Sequence, residues 1–236
     1  MLLEVESIEV FIQSSRILRG VSLGVGQGEV VCLIGRNGAG KTTTLRTVMG
    51  YLRPARGQIL FKDADLTRKS PYQMGRMGIG YAPEESAIFP DLTTHENIEI
   101  STWMRTTDRS ARQRMELAYE VFPVLRKYRD RKGTHMSGGE RKMLSIARAL
   151  ALDAELFLLD EPFEGLAPAF VIQVAGSIQK IAGMGISILI VESNIYHVPD
   201  FAQRLYVLER GEVIFAGLPQ EVGAREEVLR IIAGAA

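Results

Sequence analysis

The apolar residues of this chain gather into short runs separated by charged and glycine-rich segments. Four of the runs are continuous rather than alternating, which is typical of strands buried on both faces of a parallel sheet. These runs are Val30–Ile34, Leu156–Leu159, Ile186–Val191 and Arg204–Leu208. Helical patterns at about 165–182 and 195–203 separate the last three runs. Strands that alternate with helices predict an α/β fold with a mainly parallel sheet.

The remaining segments predict shorter strands and a helical insert. Thr42–Tyr51 has the pattern of a helix that ends before Pro54 and Gly57. Between about 90 and 152, apolar residues recur at helical spacing in a charged background, which predicts a mostly helical insert. The other predicted elements are strands at Leu2–Phe11, Ile17–Val25, Gln58–Phe61 and Met77–Tyr81, a hairpin arm at Val213–Ala216 and a C-terminal helix pair at 218–233.

Composition excludes several classes of protein. The 236 residues carry 28 Lys and Arg against 28 Asp and Glu, so the formal net charge is zero. This balance argues against a basic surface that coats nucleic acid, and we expect no nucleic-acid partner. Cys32 is the single cysteine, which excludes an internal disulfide, and its apolar surroundings predict a buried, inert thiol. Neither a signal peptide nor a membrane-spanning run is visible, so we expect a cytoplasmic chain.

The strongest chemical signal lies between a predicted strand and a predicted helix, where the sequence matches the phosphate-binding pattern G-x-x-x-x-G-K-[ST]. Glycines in such a loop let backbone N–H groups face phosphate oxygens, and the helix directs its positive end at the same anion. We expect Lys41 to reach the β- and γ-phosphates and Thr42 to offer its hydroxyl to Mg²⁺. A glycine-rich turn without a ligand would not explain the Lys-Thr pair. The residues predicted to bind the ATP phosphates are Gly35, Arg36, Asn37, Gly38, Ala39, Gly40, Lys41, Thr42 and Thr43.

A second signal is the apolar run Leu156–Leu159, which ends in two acids, Asp160 and Glu161. Sheets of α/β proteins place their sites at the carboxyl ends of strands. Alone, this pattern also fits a strand that continues into a solvated loop. Beside a phosphate-binding loop, we expect Asp160 to hold the Mg²⁺ shell and Glu161 to act as the general base on the attacking water.

A third signal is Met136-Ser137-Gly138-Gly139-Glu140, followed by a predicted helix. Ser137 and Glu140 have the spacing of a helix-capping box, which is the alternative explanation. Two adjacent glycines add nothing to a cap, but they allow a backbone to approach a phosphate.

These three patterns, in this order, resemble the ATP-binding-cassette (ABC) ATPases over essentially the whole chain. The resemblance implies a P-loop NTPase fold with a mixed, mainly parallel sheet, N-terminal antiparallel strands and a helical subdomain. It predicts one domain over 1–236 with the helical subdomain inserted at about 86–152. It also implies a head-to-tail dimer, in which Ser137, Gly138, Gly139 and Glu140 of one subunit contact the ATP held by the P-loop of the other.

Several positions depart from the pattern of the family. Glu84 replaces the usual glutamine that senses Mg²⁺ and the partner, and a carboxylate can still accept from metal-bound water. Ser193 replaces the switch histidine, whose charge a serine cannot carry. Ala167 stands where many relatives have an aspartate. Phe11 lies near the position of the aromatic residue that stacks on adenine, although Ile12 is an alternative.

The departures at Glu84 and Ser193, with Gly-Leu-Ala-Pro after Glu164, resemble the ATPase subunits of branched-chain amino acid, amide and urea importers. This resemblance implies an ATPase that energises import, with ATP and Mg²⁺ as cofactors. Its expected partners are a second ATPase subunit, transmembrane permease subunits and, indirectly, an extracytoplasmic solute-binding protein. We therefore expect it at the cytoplasmic face of the inner membrane. The alternatives are a weakly hydrolysing partner of another cassette, which Ser193 favours, and a soluble ABC ATPase without a transport role.

Overall fold

The computed structural model describes residues 1–222 and 225–233 and contains two compact units. The first unit comprises Met1–Met74 and Ser187–Ala236, and the second comprises Gly75–Ile186. The domain predicted over 1–236 includes 223–224 and 234–236, which lie outside the described residues.

In the described part of the chain, the strands are β1 (Leu3–Ile12), β2 (Ser15–Val25), β3 (Val30–Ile34), β4 (Arg56–Phe61), β5 (Ala64–Asp65), β6 (Ile79–Ala82), β7 (Leu156–Asp160), β8 (Ser187–Glu192), β9 (Arg204–Glu209) and β10 (Glu212–Gly217). The α-helices are α1 (Lys41–Val48), α2 (Pro71–Met77), α3 (Thr94–Thr102), α4 (Ala111–Val121), α5 (Pro123–Lys127), α6 (Gly138–Ala151), α7 (Pro168–Gly183), α8 (Pro219–Val222) and α9 (Glu226–Ala233).

The first unit contains an antiparallel sheet in the order β2-β1-β4-β5. Strands β1 and β2 form a hairpin in which Leu3 pairs with Val25 and Val10 pairs with Leu18. All four of these side chains are buried. Because successive side chains of a strand point to opposite faces, the alternating sequence of β1 gives this sheet one apolar face.

The first unit also holds strands in the order β10-β9-β3-β8. Strand β3 pairs in parallel with β8 and with β9, and β10 pairs with β9 as an antiparallel hairpin arm. Every residue of β3 is buried, as its continuous apolar sequence predicted. Cys32 on this strand is buried, and this burial raises the pKa of its thiol well above the ordinary value.

The second unit contains the parallel pair β6 and β7 and most of the helices. Helices α3, α4 and α6 each begin at a serine or threonine whose side chain forms a capping box with the Glu or Gln at N3. Helix α6 has the strongest division between an apolar and a polar face among these three helices, and most of its residues are buried. The helical insert expected between about 90 and 152 is therefore present as α3, α4, α5 and α6.

One local prediction is wrong, and two elements of the structure were not predicted. The helix expected over 195–203 is wrong, because only a single 3₁₀ turn forms at Ile195–His197. Proline disfavours the helical conformation of the residue before it, and Val198, which precedes Pro199, is extended. Helix α2 and strand β5 were not predicted, since both are short and carry little periodic signal.

Parallel and antiparallel strands together with helices confirm the α/β class. Among the helices of the described residues, none combines the length and the apolar character needed to cross a lipid bilayer.

Candidate functional site

The glycine-rich loop that is predicted to bind phosphate connects β3 to α1 within the first unit. Gly38 and Gly40 have φ angles of 84° and 111°, a region that side-chain-bearing residues rarely adopt. A methyl group on Gly35 would collide with the carbonyl oxygen of Leu208, and one on Gly40 would lie 2.8 Å from Leu18 Cδ2. These three glycines are therefore required by the local backbone. A methyl group on Gly38 would meet no atom within 4 Å, so the space beside this residue is open.

Lys41 is the first residue of α1, and its side chain folds back across the loop. Its ammonium group donates to the carbonyl oxygen of Arg36 at 3.3 Å and to the hydroxyl of Ser193 at 3.0 Å. In the described structure no side chain caps the start of α1 at Gly40. A helix start beside a lysine is a favourable arrangement for an anion, because the positive end of the helix dipole and the ammonium group act together. The arrangement of these residues fits the phosphates of a nucleotide.

Ser193 follows β8 and lies against this loop. Because β8 pairs in parallel with β3, the carboxyl ends of the two strands lie side by side, and the Gly35 N–H donates to the Glu192 carbonyl oxygen. The Ser193 hydroxyl accepts from Lys41 and donates to Asn37 Oδ1 at 2.7 Å. The structure thus places the predicted sensor residue in hydrogen-bond contact with two residues of the phosphate-binding loop.

The second unit places acidic residues at the ends of β6 and β7. Asp160 is the last residue of β7, is 1% exposed, and accepts a hydrogen bond from the hydroxyl of Tyr81 at 3.1 Å. Glu161 is also buried and has a φ angle of 46°. A left-handed backbone is costly for a residue with a side chain, and such strain is concentrated at functional sites. Glu84 lies just beyond the end of β6 and is exposed.

Lys142 was not recognised as a site residue from the sequence. It lies on α6, is buried, and donates to the carbonyl oxygens of Glu84 and Glu161. A signal for it was present, because a lysine interrupts an otherwise apolar helical stripe that includes Ile146 and Leu150. Lysine is rarely buried without a partner, so this interruption indicates a specific role.

The segment Ser137–Glu140 forms the start of α6. The Ser137 hydroxyl accepts from the Glu140 N–H at 3.3 Å, and the Glu140 carboxylate accepts from the Ser137 N–H at 2.7 Å, so the capping box is present. A methyl group on Gly139 would lie 2.7 Å from the ring of Phe170, whereas one on Gly138 would meet no atom within 4 Å. Gly139 is therefore needed for packing, and Gly138 leaves the approach to the helix start open.

The residues predicted to bind adenine or Mg²⁺ have positions that are compatible with these roles within their own units. Thr42 and Thr43 are in the first turn of α1. Phe11 is near the end of β1 and is 45% exposed, which leaves its ring available for stacking. Thr42 in the first unit carries a hydroxyl group, and Asp160 and Glu84 in the second unit carry carboxylates. Each is a hard oxygen donor of the type that Mg²⁺ prefers, together with water and substrate phosphates.

Comparisons with known proteins define the class. A family model described as ABC transporter matches residues 18–164. The chain is 37% identical over 223 residues to the lipopolysaccharide export system ATP-binding protein LptB of Acidithiobacillus ferridurans, which covers 94% of this chain and 92% of that protein. It is 38% identical over 221 residues to the protein of that name from Escherichia coli strain K12, with 93% and 91% covered.

The fold agrees with solved structures. An ATP-binding cassette of an ABC transporter in its ADP conformation matches with a TM-score of 0.85 at 26% identity, over 99% of this chain and 98% of that chain. A nucleotide-free ATP-binding cassette matches with the same TM-score, 0.85, over 98% of both chains.

The chain therefore belongs to the ABC transporter family, and it is an ATP-binding subunit of that family, an ATPase that couples hydrolysis to transport. A solved cassette with the same fold is described as a dimer in a post-hydrolysis state bound to ADP and phosphate. The relatives reported above are named for lipopolysaccharide export. They do not support the assignment to amino acid import that the sequence motifs suggested.

Proposed function

We propose that this chain binds ATP with Mg²⁺ through its phosphate-binding loop and hydrolyses it within a dimer of cassettes. Lys41 and the N–H groups of the loop bind the phosphates. Glu161 removes a proton from the attacking water. Ser193 contacts the γ-phosphate region through Lys41 and Asn37. We also propose that residues 1–236 act as one functional domain, in which a helical subdomain is inserted at about 86–152.

The further assignments follow the resemblance to the family. Thr42, Asp160 and Glu84 hold the metal, which supplies charge neutralisation of the phosphates when it is bound. Ser137, Gly138, Gly139 and Glu140 contact the ATP of the partner subunit. Phe11 stacks on the adenine.

The observation that carries the proposal is the position of Lys41 at the start of α1. The Lys41 ammonium group lies over the loop and hydrogen bonds to Arg36 and Ser193. The helix start beside it has no side-chain cap in the described structure. An anion that arrives at this point meets the ammonium group, the N–H groups and the positive end of the helix dipole together.

Lys41→Ala tests the phosphate-binding assignment by isothermal titration calorimetry with ATP. Because a charge-assisted contact to a buried phosphate is lost, we expect the affinity to fall by about 100-fold or more. Arg46→Ala is the control, since it removes an exposed cation from the same helix. Unchanged affinity in Lys41→Ala, or an equal loss in Arg46→Ala, would refute the assignment.

For the transported solute, we propose export of lipopolysaccharide as the first candidate, supported by the names of the relatives. Import of branched-chain amino acids, amides or urea is the second candidate, supported by the replacements at Glu84 and Ser193. Both place the chain at the inner membrane through permease subunits, but only import requires a solute-binding protein. The subunits that co-purify with the chain from membranes, followed by transport assays of both cargo classes in the reconstituted complex, distinguish the candidates.

A further inference from the structure

The buried ammonium group of Lys142 connects three segments of the second unit. Lys142 is 4% exposed and lies on α6. Its Nζ donates to the carbonyl oxygen of Glu84 at 2.7 Å and to the carbonyl oxygen of Glu161 at 3.0 Å. Removing an ammonium group from water is costly unless hydrogen bonds replace those to solvent. The two carbonyl groups therefore help to determine where this side chain lies.

Both acceptors belong to segments that follow neighbouring strands. Strands β6 and β7 pair in parallel, with Ala82 opposite Leu159, so their carboxyl ends lie side by side. Glu161 has a left-handed φ of 46°, which is unfavourable for a residue with a side chain. A hydrogen bond to the carbonyl group of this residue favours the strained conformation, and that conformation sets the direction of the Glu161 side chain.

The third segment is the helix that begins at the Ser-Gly-Gly sequence. Ser137 caps α6, and Lys142 lies on the same helix at an axial distance of about 7.5 Å from the cap. The hydrogen bonds of Lys142 therefore link the helix that begins after Ser137 to the backbone of Glu84 and Glu161.

We propose that Lys142 is a positioning residue for ATP hydrolysis, because it fixes the backbone of Glu161 and of Glu84 to the helix that carries Ser137. This inference rests on the proposed function, in which Glu161 is the general base. Lys142 makes no contact with substrate in this proposal. It acts through the two residues whose carbonyl groups it holds.

Lys142→Met tests the proposal, since methionine keeps the length and apolar character of the side chain but cannot donate. We expect kcat to fall by about tenfold or more, because misplacing a catalytic group by a fraction of an ångström has effects of this size. The affinity for ATP should stay within about twofold of the parent, since the phosphate-binding loop is unchanged. Lys142→Arg, which keeps the donors, should restore part of kcat.

Arg148→Met is the matched control. Arg148 lies on the same helix and donates to the carbonyl oxygen of Ala87 at 2.7 Å, so its loss also removes a cation from a main-chain acceptor. This variant should keep the parental kcat even where its thermal stability falls as far as that of Lys142→Met. If Lys142→Met does not fold, Lys142→Leu, which is apolar and cannot donate, replaces it in the same assays.

A double-mutant cycle separates positioning from general stability. In a Glu161→Gln background, the base is already absent, so Lys142→Met should reduce the residual rate by less than about twofold. Full additivity in this cycle, a parental kcat in folded Lys142→Met, or an equal kcat loss in Arg148→Met would overturn the proposal. Failure of the proposed function would look different, because the parent chain itself would then neither bind nor hydrolyse ATP.

Discussion

The ammonium nitrogen of Lys41 lies 3.0 Å from the hydroxyl oxygen of Ser193, and the same hydroxyl donates to Asn37. A neutral hydroxyl therefore occupies the position at which the resemblance to the family places a histidine. Serine does not change its charge near neutral pH, whereas an imidazole does. This contact offers a direct way to test how the site responds to the γ-phosphate.

We expect Ser193→His to raise the steady-state turnover of the purified subunit by about tenfold, since an imidazole adds a polarisable donor beside the phosphates. Turnover should also acquire a pH dependence near the ordinary histidine pKa of about 6.5. Ser193→Asn is the control, because it adds size and donors but no titratable group. If both variants hydrolyse ATP at the parental rate at every pH, another group or the partner cassette performs this role.

Glu84→Gln restores the amide that the family usually carries at this position. Loss of one negative charge should weaken the hold on metal-bound water, so we expect the Mg²⁺ concentration for half-maximal activity to rise by about threefold. Glu85→Gln is a matched control, since Glu85 is the next residue along the chain and is also exposed. An identical Mg²⁺ dependence in both variants would exclude Glu84 from the metal site.

The two glycines at the start of α6 should respond differently to alanine. Gly139→Ala brings a methyl group to within 2.7 Å of the Phe170 ring, so we expect a loss of about 1–3 kcal/mol in the free energy of unfolding. Gly138→Ala meets no atom within 4 Å and should unfold at the parental temperature. Calorimetric unfolding of the isolated subunit measures both effects.

Gly138→Ala should nevertheless weaken ATP-dependent dimerisation, because its methyl group occupies the open approach that the proposal assigns to the ATP of the partner. Size-exclusion chromatography with light scattering measures this in a hydrolysis-deficient background. Parental dimerisation by Gly138→Ala would contradict the proposed contact in trans.

Local patterns in the sequence were sufficient to predict the fold class and to locate the glycine-rich loop between β3 and α1. Continuous apolar runs located β3, β7, β8 and β9, because a strand buried on both faces has no polar alternation. The contact of Lys41 with Ser193 could not be predicted from local patterns, because these residues are 152 positions apart and meet only after β3 and β8 pair.

Two further features show where local patterns are insufficient. The predicted helix at 195–203 ignored the restriction that Pro199 places on Val198. The role of Lys142 depends on where two carbonyl groups lie in the folded chain, and main-chain acceptors have no sequence signature. Sequence reasoning found the residues with distinctive side chains and missed the one that acts on the backbone.

The most direct test of the account is Glu161→Gln, assayed for ATP binding, hydrolysis and dimerisation together. We expect ATP affinity to be retained, hydrolysis to fall by about 100-fold or more, and the ATP-bound chain to elute as a stable dimer. Glu155→Gln, at the other end of β7, is the control and should hydrolyse ATP at the parental rate. Hydrolysis by Glu161→Gln at the parental rate would contradict the central claim that Glu161 is the general base of an ATPase.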